Sequence, residues 1–204
     1  PLTEVLEYYK EKIESSKILE SLGLESGKYF VASFHREENV DSSERLETLL
    51  ESLNGLVEEF DFPIVLSVHP RTRKKMEASN VKLSEKIRDL KPLGFFDYVK
   101  LQKLAYCALS DSGTITEESA IMGFPAVTLR DTHERPEGMD SGVLVMTGIT
   151  KAAVISGIKI VRSQYETREL PVRPDDYVPA DVSWRIAKLI QSYVPYVLRR
   201  TWGV

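Results

Sequence analysis

The sequence predicts an α/β protein, a Rossmann-like parallel sheet with helices on both faces. Three observations predict it. Five apolar runs of four to six residues are spaced along the chain, the length and character of buried strands. These runs are apolar at successive positions, as strands covered on both faces require. They alternate with longer segments of helical periodicity, the pattern of βα units. A hydrophobic share of 42% over 204 residues is enough for one substantial core. No internal repeat or low-complexity tract interrupts the pattern.

In chain order, Leu2 to Leu22 reads as a helix ended by Gly23. Tyr29 to Phe34 (YFVASF) is the first strand. Asp41-Ser42-Ser43-Glu44 supplies start signals for a helix running through Phe60. Pro63 to Val68 (PIVLSV) is the second strand, and the charged stretch from Arg71 to Arg88 is expected to be a helical or irregular surface segment. A helix follows over Phe95 to Ala105, then a third strand, Tyr106 to Leu109, and a helix over Thr114 to Met122. Pro125 to Leu129 and Gly142 to Met146 complete the strands, with a helix over Lys151 to Arg162. A Pro-rich loop, ELPVRPDDYVPAD, leads to a closing helix from Ala180 to Leu198.

A net charge of −4 argues against a nucleic-acid or anionic-membrane surface. The single cysteine, Cys107, excludes a disulfide framework and a zinc ribbon, and a reducing cytoplasm is the expected setting. Neither a signal peptide nor an apolar stretch of about 20 residues is present. Pro1 opens directly into a helix with no initiator Met, so the chain reads as a piece of a longer polypeptide.

Ligands of such sheets gather beyond the carboxyl ends of the strands. Those ends are followed by His35-Arg36-Glu37-Glu38-Asn39, His69-Pro70-Arg71, Ser110-Asp111-Ser112-Gly113 and Arg130-Asp131-Thr132-His133-Glu134-Arg135. All three histidines therefore fall at one edge. The stretch SDSGTITEES, from Ser110 to Ser119, places a strand end, a glycine and a helix start in succession. Backbone N–H groups at a helix start form an anion seat, and Gly113 offers no Cβ where a phosphate would approach. The same stretch has a second reading, since Thr114-x-x-Glu117 matches a capping box that needs no ligand. His35 suits proton transfer or a hydrogen bond to phosphate, or is a satisfied histidine at a strand end. Arg36, Glu37 and Glu38 read as a solvated charge cluster. Arg135 can clamp a diphosphate or stand as a surface charge. Tyr98 belongs to an aromatic stripe that is either core or a platform for a base.

Several signatures are missing. There is no G-x-G-x-x-G, no G-x-S-x-G, and GLESGKY falls one residue short of a P-loop while preceding a strand.

The strings SFHREENVD, HPR, SDSGTITEESAIMGFPAVTLRD and THERPEGMDSG together resemble the C-terminal half of the non-hydrolysing UDP-N-acetylglucosamine 2-epimerases. The resemblance runs along most of the chain in the family's order. It implies one half of a two-domain glycosyltransferase-B fold (UDP-glycosyltransferase/glycogen phosphorylase-like), residues 1–204 being a single UDP-binding domain. The closing helix, with the rest of 180–204, is then expected to pack on a missing N-terminal half. By motif, His35 reaches the diphosphate or sugar and matters for catalysis. Ser112 and Gly113 hold phosphate, with Arg135 and Arg36 as further phosphate contacts. Glu118 takes the ribose hydroxyls, and Tyr98 faces the uracil. Thr114 stands where the family often has a second glycine.

The family reaction inverts C2 of the sugar by eliminating UDP and adding it back on the other face. It needs neither NAD nor metal, so no cofactor is expected. The motif wording is closest to the capsule and O-antigen branch, similar in acting on a UDP-2-acetamido-2,6-dideoxy-hexose. A homodimer is implied for the full-length protein. The family's key carboxylates lie in the other half, so the isolated chain is expected to be inactive. Three alternatives stay open: a glycosyltransferase-B sugar transferase, a metal hydrolase using His35, His69, His133 and Asp131, and a non-catalytic nucleotide sensor.

Overall fold

A computed structural model describes residues 2–167 and 173–203. Six parallel strands form one sheet: β1 (Phe30–Ser33), β2 (Ile64–Ser67), β3 (Ile87–Leu90), β4 (Cys107–Ser110), β5 (Ala126–Thr128) and β6 (Val145–Met146). Their order is β3-β2-β1-β4-β5-β6, the doubly wound arrangement that the apolar runs predict. β1 pairs with both β2 and β4, and Ser33 lies level with Ser67 and Ser110.

Successive strand residues supply opposite faces. Phe30, Ala32, Ile64, Leu66, Cys107 and Leu109 join one apolar cluster, and Val31, Val65 and Ala108 join the other. This period of two, with every position apolar, is why the runs are continuous. The first face is covered by α5 (Ser43–Phe60) and α10 (Lys151–Glu166). In α5, Leu46, Leu49, Leu50, Leu53 and Leu56 are all buried, the i, i+3, i+4, i+7 stripe of a core-facing helix. α10 can lie close to the sheet because Gly157 faces it: a Cβ there would stand 2.4 Å from Thr147 Cγ2. The second face is covered by α3 (Ile18–Leu22), α7 (Phe95–Leu104) and α8 (Thr114–Met122). Cys107 is fully buried on the central strand β4, and burial pushes its thiol pKa up.

Several expectations need correcting. The single helix expected over Leu2 to Leu22 is three: α1 (Leu2–Tyr8), α2 (Lys10–Glu14) and α3. The first break falls at Tyr9, and Ser15 and Ser16 make the second with local hydrogen bonds, Ser15 Oγ to Lys12 O and Ile18 N–H to Ser16 Oγ. The second break lets Leu6 and Ile13 pack with Val99 while Leu19 and Leu22 turn to the sheet.

The segment Arg71 to Arg88 contains α6 (Pro70–Glu77), and its last two residues enter β3, a sixth strand. β3 is an edge strand carrying Arg88 and Asp89 on its exposed positions, so it lacks an apolar run; Arg73 pairs with Asp89. Glu37 and Glu38 are exposed, as a solvated charge cluster would be. They begin a short helix, α4 (Glu37–Val40), that buries Asn39 and Val40. A further short helix, α9 (Pro136–Asp140), follows Arg135.

The expected fifth run shrinks to two strand residues, because Val143 and Leu144 are buried in a turn after Gly142, whose φ is +64°. The helix expected to stop at Arg162 continues to Glu166. Residues 169–172 of the Pro-rich loop lie outside the described residues. The closing helix is α11 (Val182–Val197), followed by a π turn over Leu198–Trp202. α11 buries none of its side chains, and Trp184, Leu189, Ile190, Tyr193 and Trp202 are exposed. Among the described residues no helix is long and apolar enough to cross a membrane.

Candidate functional site

The strand order reverses between β1 and β4, so the chain leaves these adjacent strands toward opposite faces. A crevice opens there. A cavity of about 400 Å³ is lined by Ser33 and His35 after β1, Ser110, Ser112, Thr114 and Glu118 after β4, and Phe95 and Tyr98 of α7. A second, of about 410 Å³, adjoins it and shares Ser33, His35, Ser67 and Pro92, extending to His69 and Arg71.

His35 stands on the shared wall with its side chain 59% exposed. Its loop is held by Asp111, which is completely buried. The Asp111 carboxylate accepts from the backbone N–H groups of His35 and Arg36 at 3.1 and 3.0 Å, and from Asn39 Nδ2 at 3.1 Å. His35 Nδ1 lies 3.3 Å from Asp111 Oδ1. One carboxylate thus ties the loop after β1 to the loop after β4, and its partners satisfy it where water cannot reach. A proton on Nδ1, facing Asp111, leaves Nε2 as the imidazole's other functional atom. Asn39 continues the network, donating to Leu129 O and accepting from Arg45, which also pairs with Asp131 at 2.7 Å.

The helix start behaves differently from the expected capping box. The residue preceding α8 is Gly113, not Thr114, and it has no side chain with which to cap the helix. Glu117 therefore lies one position too late for the reciprocal bond and instead pairs with Arg135 Nε at 2.7 Å. Gly113 has φ −62°, so it is not needed for a left-handed turn. A Cβ there would make only ordinary contacts within the chain, with Glu134 Oε2 at 3.4 Å and Arg36 at 3.9 Å. The Glu134 carboxylate thus sits beside the start of α8, bonded to Arg36 at 3.1 Å and to the buried Arg130 at 3.2 Å. The two guanidiniums hold its carboxyl pKa below the usual range. Ser112 Oγ accepts from Thr114 N–H at 3.4 Å and contacts Thr114 Oγ1 at 2.9 Å.

At the inner end, Tyr98 turns its hydroxyl to Ser33 Oγ at 2.7 Å, and burial raises the phenol's pKa. The neighbouring Phe95 ring is 42% exposed and lines the same cavity. Glu118 accepts from Gln102 Nε2 at 2.6 Å, and burial holds its carboxyl pKa above the usual 4.5.

The structure therefore gathers His35, Ser112, Glu118 and Tyr98 around one cavity; Gly113 falls between two lining residues, Ser112 and Thr114, and Arg36 follows His35, but neither lines it. Arg135 does not line it; its guanidinium is engaged by Glu117 and by Glu134 O at 3.1 Å. His69 caps α6 through Nδ1, and among the described residues no group of three or more His, Cys, Asp or Glu is placed to hold a metal. The metal-hydrolase alternative gathers no ligand set. Asp111, Gln102, Arg130 and Glu134 are the site's supporting residues that motif reading passed over. Asp111, Arg130 and Glu134 fall in the polar stretches after strand ends, Asp111 one residue past β4 and beside the strand end bearing His35, whereas Gln102 left no signal.

A protein-family model described as UDP-N-acetylglucosamine 2-epimerase matches residues 1–191. The UDP-N-acetylglucosamine 2-epimerase of Methanocaldococcus jannaschii is 37% identical over 137 residues, 65% of this chain and 37% of that protein. Among solved structures, UDP-N-acetylglucosamine 2-epimerase from Rickettsia bellii matches with a TM-score of 0.87 and 40% identity, over 100% of this chain and 54% of that one. The M. jannaschii enzyme in complex with UDP-GlcNAc and UDP matches with a TM-score of 0.82 and 28% identity, over 93% of this chain and 52% of that one. The chain spans about half the length of these solved relatives.

Proposed function

The chain belongs to the UDP-N-acetylglucosamine 2-epimerase family, and from that premise we propose that it is the UDP-binding half of a sugar-nucleotide 2-epimerase. Its fold is one half of a glycosyltransferase-B architecture. The observation that carries the reading is the cavity at the β1/β4 reversal, where a carboxylate, an aromatic pair, a helix start and a histidine line one volume.

The nucleotide lies along this cavity. Glu118 accepts from the ribose hydroxyls, as an ionised carboxylate acts only as an acceptor. Tyr98 and Phe95 flank the uracil. The diphosphate meets Ser112, Gly113 and the first N–H groups of α8, where the helix dipole favours negative charge. There it exchanges with the Glu134 carboxylate on Arg36, and Arg135 turns from Glu117 to join it. His35, held by Asp111, faces the diphosphate–sugar junction.

Cleavage of the C1–O bond puts the bonding electron pair on the departing UDP. Fixed donors at the helix start, with Arg36 and Arg135, stabilise that charge where it develops. The base that takes the C2 proton belongs to the other half of the full-length protein, as do the sugar contacts that complete the cleft. α11 packs on that half, and the full-length protein works as a homodimer in the cytoplasm. The sugar nucleotide is a UDP-2-acetamido-hexose, with the 2,6-dideoxy branch favoured by motif wording.

Calorimetric titration of the 204-residue chain with UDP, run beside a 2-epimerase assay, tests this reading. UDP is expected to bind weakly and the chain alone to give no C2 inversion. Turnover by the isolated chain, or no UDP binding at all, overturns it. Acceptor-dependent sugar transfer by the full-length protein would favour the transferase alternative.

A further inference from the structure

Gln102 is 1% exposed on α7, beside Leu101 at 0% and Val99 at 2%. Its Nε2 donates to Glu118 Oε2 at 2.6 Å, while its Oε1 is buried with no hydrogen-bond partner. An orphaned buried carbonyl destabilises the fold. A leucine or methionine would fill similar volume without that cost. The amide's one satisfied contact is to a carboxylate that lines the cavity, so that contact is what the position provides.

A glutamate side chain has three rotatable bonds, and a carboxylate that must receive two neighbouring hydroxyls has to be held in one plane. Gln102 reaches Glu118 from a different helix. It donates to one carboxylate oxygen, Oε2, at 2.6 Å.

We propose that Gln102 is a positioning residue that orients Glu118 for a vicinal diol, and so makes the site select ribonucleotides over 2′-deoxyribonucleotides. The proposal rests on the reading of Glu118 as the ribose acceptor. Gln102 touches no ligand itself; it acts through Glu118. Loss of the clamp leaves Glu118 able to meet one hydroxyl at a time, so the 2′-hydroxyl no longer adds affinity.

The test compares UDP with 2′-deoxy-UDP on the 204-residue chain and on Gln102→Leu, by calorimetry or NMR titration. The unsubstituted chain is expected to favour UDP by about tenfold. Gln102→Leu is expected to lose that factor for UDP, and to bind 2′-deoxy-UDP within about twofold of the unsubstituted chain. A substitution that merely loosened the fold would weaken both ligands alike. Gln102→Asn keeps the amide but is one methylene shorter, and is expected to give the same collapse of the ratio, which keeps the test intact should the leucine variant fail to fold. A preserved ratio in the variants, or equal weakening of both ligands, overturns the proposal. An unsubstituted chain that binds both ligands equally overturns instead the assignment of Glu118 to the ribose.

Discussion

Glu118 links recognition to stability. Burial raises its carboxyl pKa in the folded chain, so ionising it costs more there than in the unfolded chain. The stability that this group contributes is fully present below the unfolded value of 4.5 and is lost as pH rises through the higher folded value. Glu118→Gln removes the charge and with it that loss. The variant is expected to melt a few degrees higher at pH 7, with the gain vanishing below about pH 4.5, as differential scanning calorimetry across pH would record. The same variant is expected to bind UDP about tenfold more weakly, equivalent to about 1.4 kcal/mol. A melting temperature unchanged at pH 7 would sink this account. Residue by residue, the lining of the crevice was legible: His35, Ser112 and Glu118 line its cavity and Gly113 precedes α8, at a strand end and a helix start that the pattern marks. What escaped were the residues behind them. Gln102 sits inside an ordinary helical stripe and Asp111 reads as part of a turn; the β1–β4 register brings Asp111 to the loop after β1, and the return of α8 beside α7 brings Glu118 to Gln102.

At the scale of elements, the central strands were legible and the edges were not. β1, β2 and β4 are covered on both faces, so their apolar runs are unbroken. β3 has one neighbour and two charged residues, and edge strands are kept polar because they otherwise invite pairing with another chain. The N-terminal segment failed for a different reason: its helical period is real, but two serines redirect it toward separate apolar clusters. The packing of α10 on the sheet is tight enough to test. Gly157→Ala gains helix propensity of about 1 kcal/mol, yet its Cβ would meet Thr147 Cγ2 at 2.4 Å. A net destabilisation of about 1–2 kcal/mol is expected in urea melts, as for other overpacked contacts. Thr147→Ser removes that methyl while keeping the hydroxyl that bonds Thr128 O, so the double variant is expected to recover most of the loss. Additive losses would show that the contact is not the cause.

On the scale of the whole molecule, α11 is the part that the rest of the chain does not explain. Its side chains include aromatic and branched apolar groups, and Leu189, Ile190, Tyr193, Val194, Val197, Leu198 and Trp202 line an open apolar concavity. An apolar surface of this kind drives association when its intended cover is absent. Deleting residues 182–204 is expected to leave the thermal midpoint within a degree or two, since α11 buries nothing, and to reduce self-association in sedimentation velocity. A large fall in midpoint would mean that the helix belongs to this core after all.

Cys107 lies at the opposite extreme. The lone thiol occupies the middle of the sheet, completely enclosed, with its thiolate form disfavoured by burial. Its side chain lies on the face covered by α5 and α10, so a soluble alkylating reagent reaches it only when that helical layer lifts from the sheet, not when surface loops fluctuate. The chain therefore carries a native chemical clock: the slow modification of one sulfur counts cooperative openings of the whole domain, and a ligand that closes the crevice above it lengthens every tick.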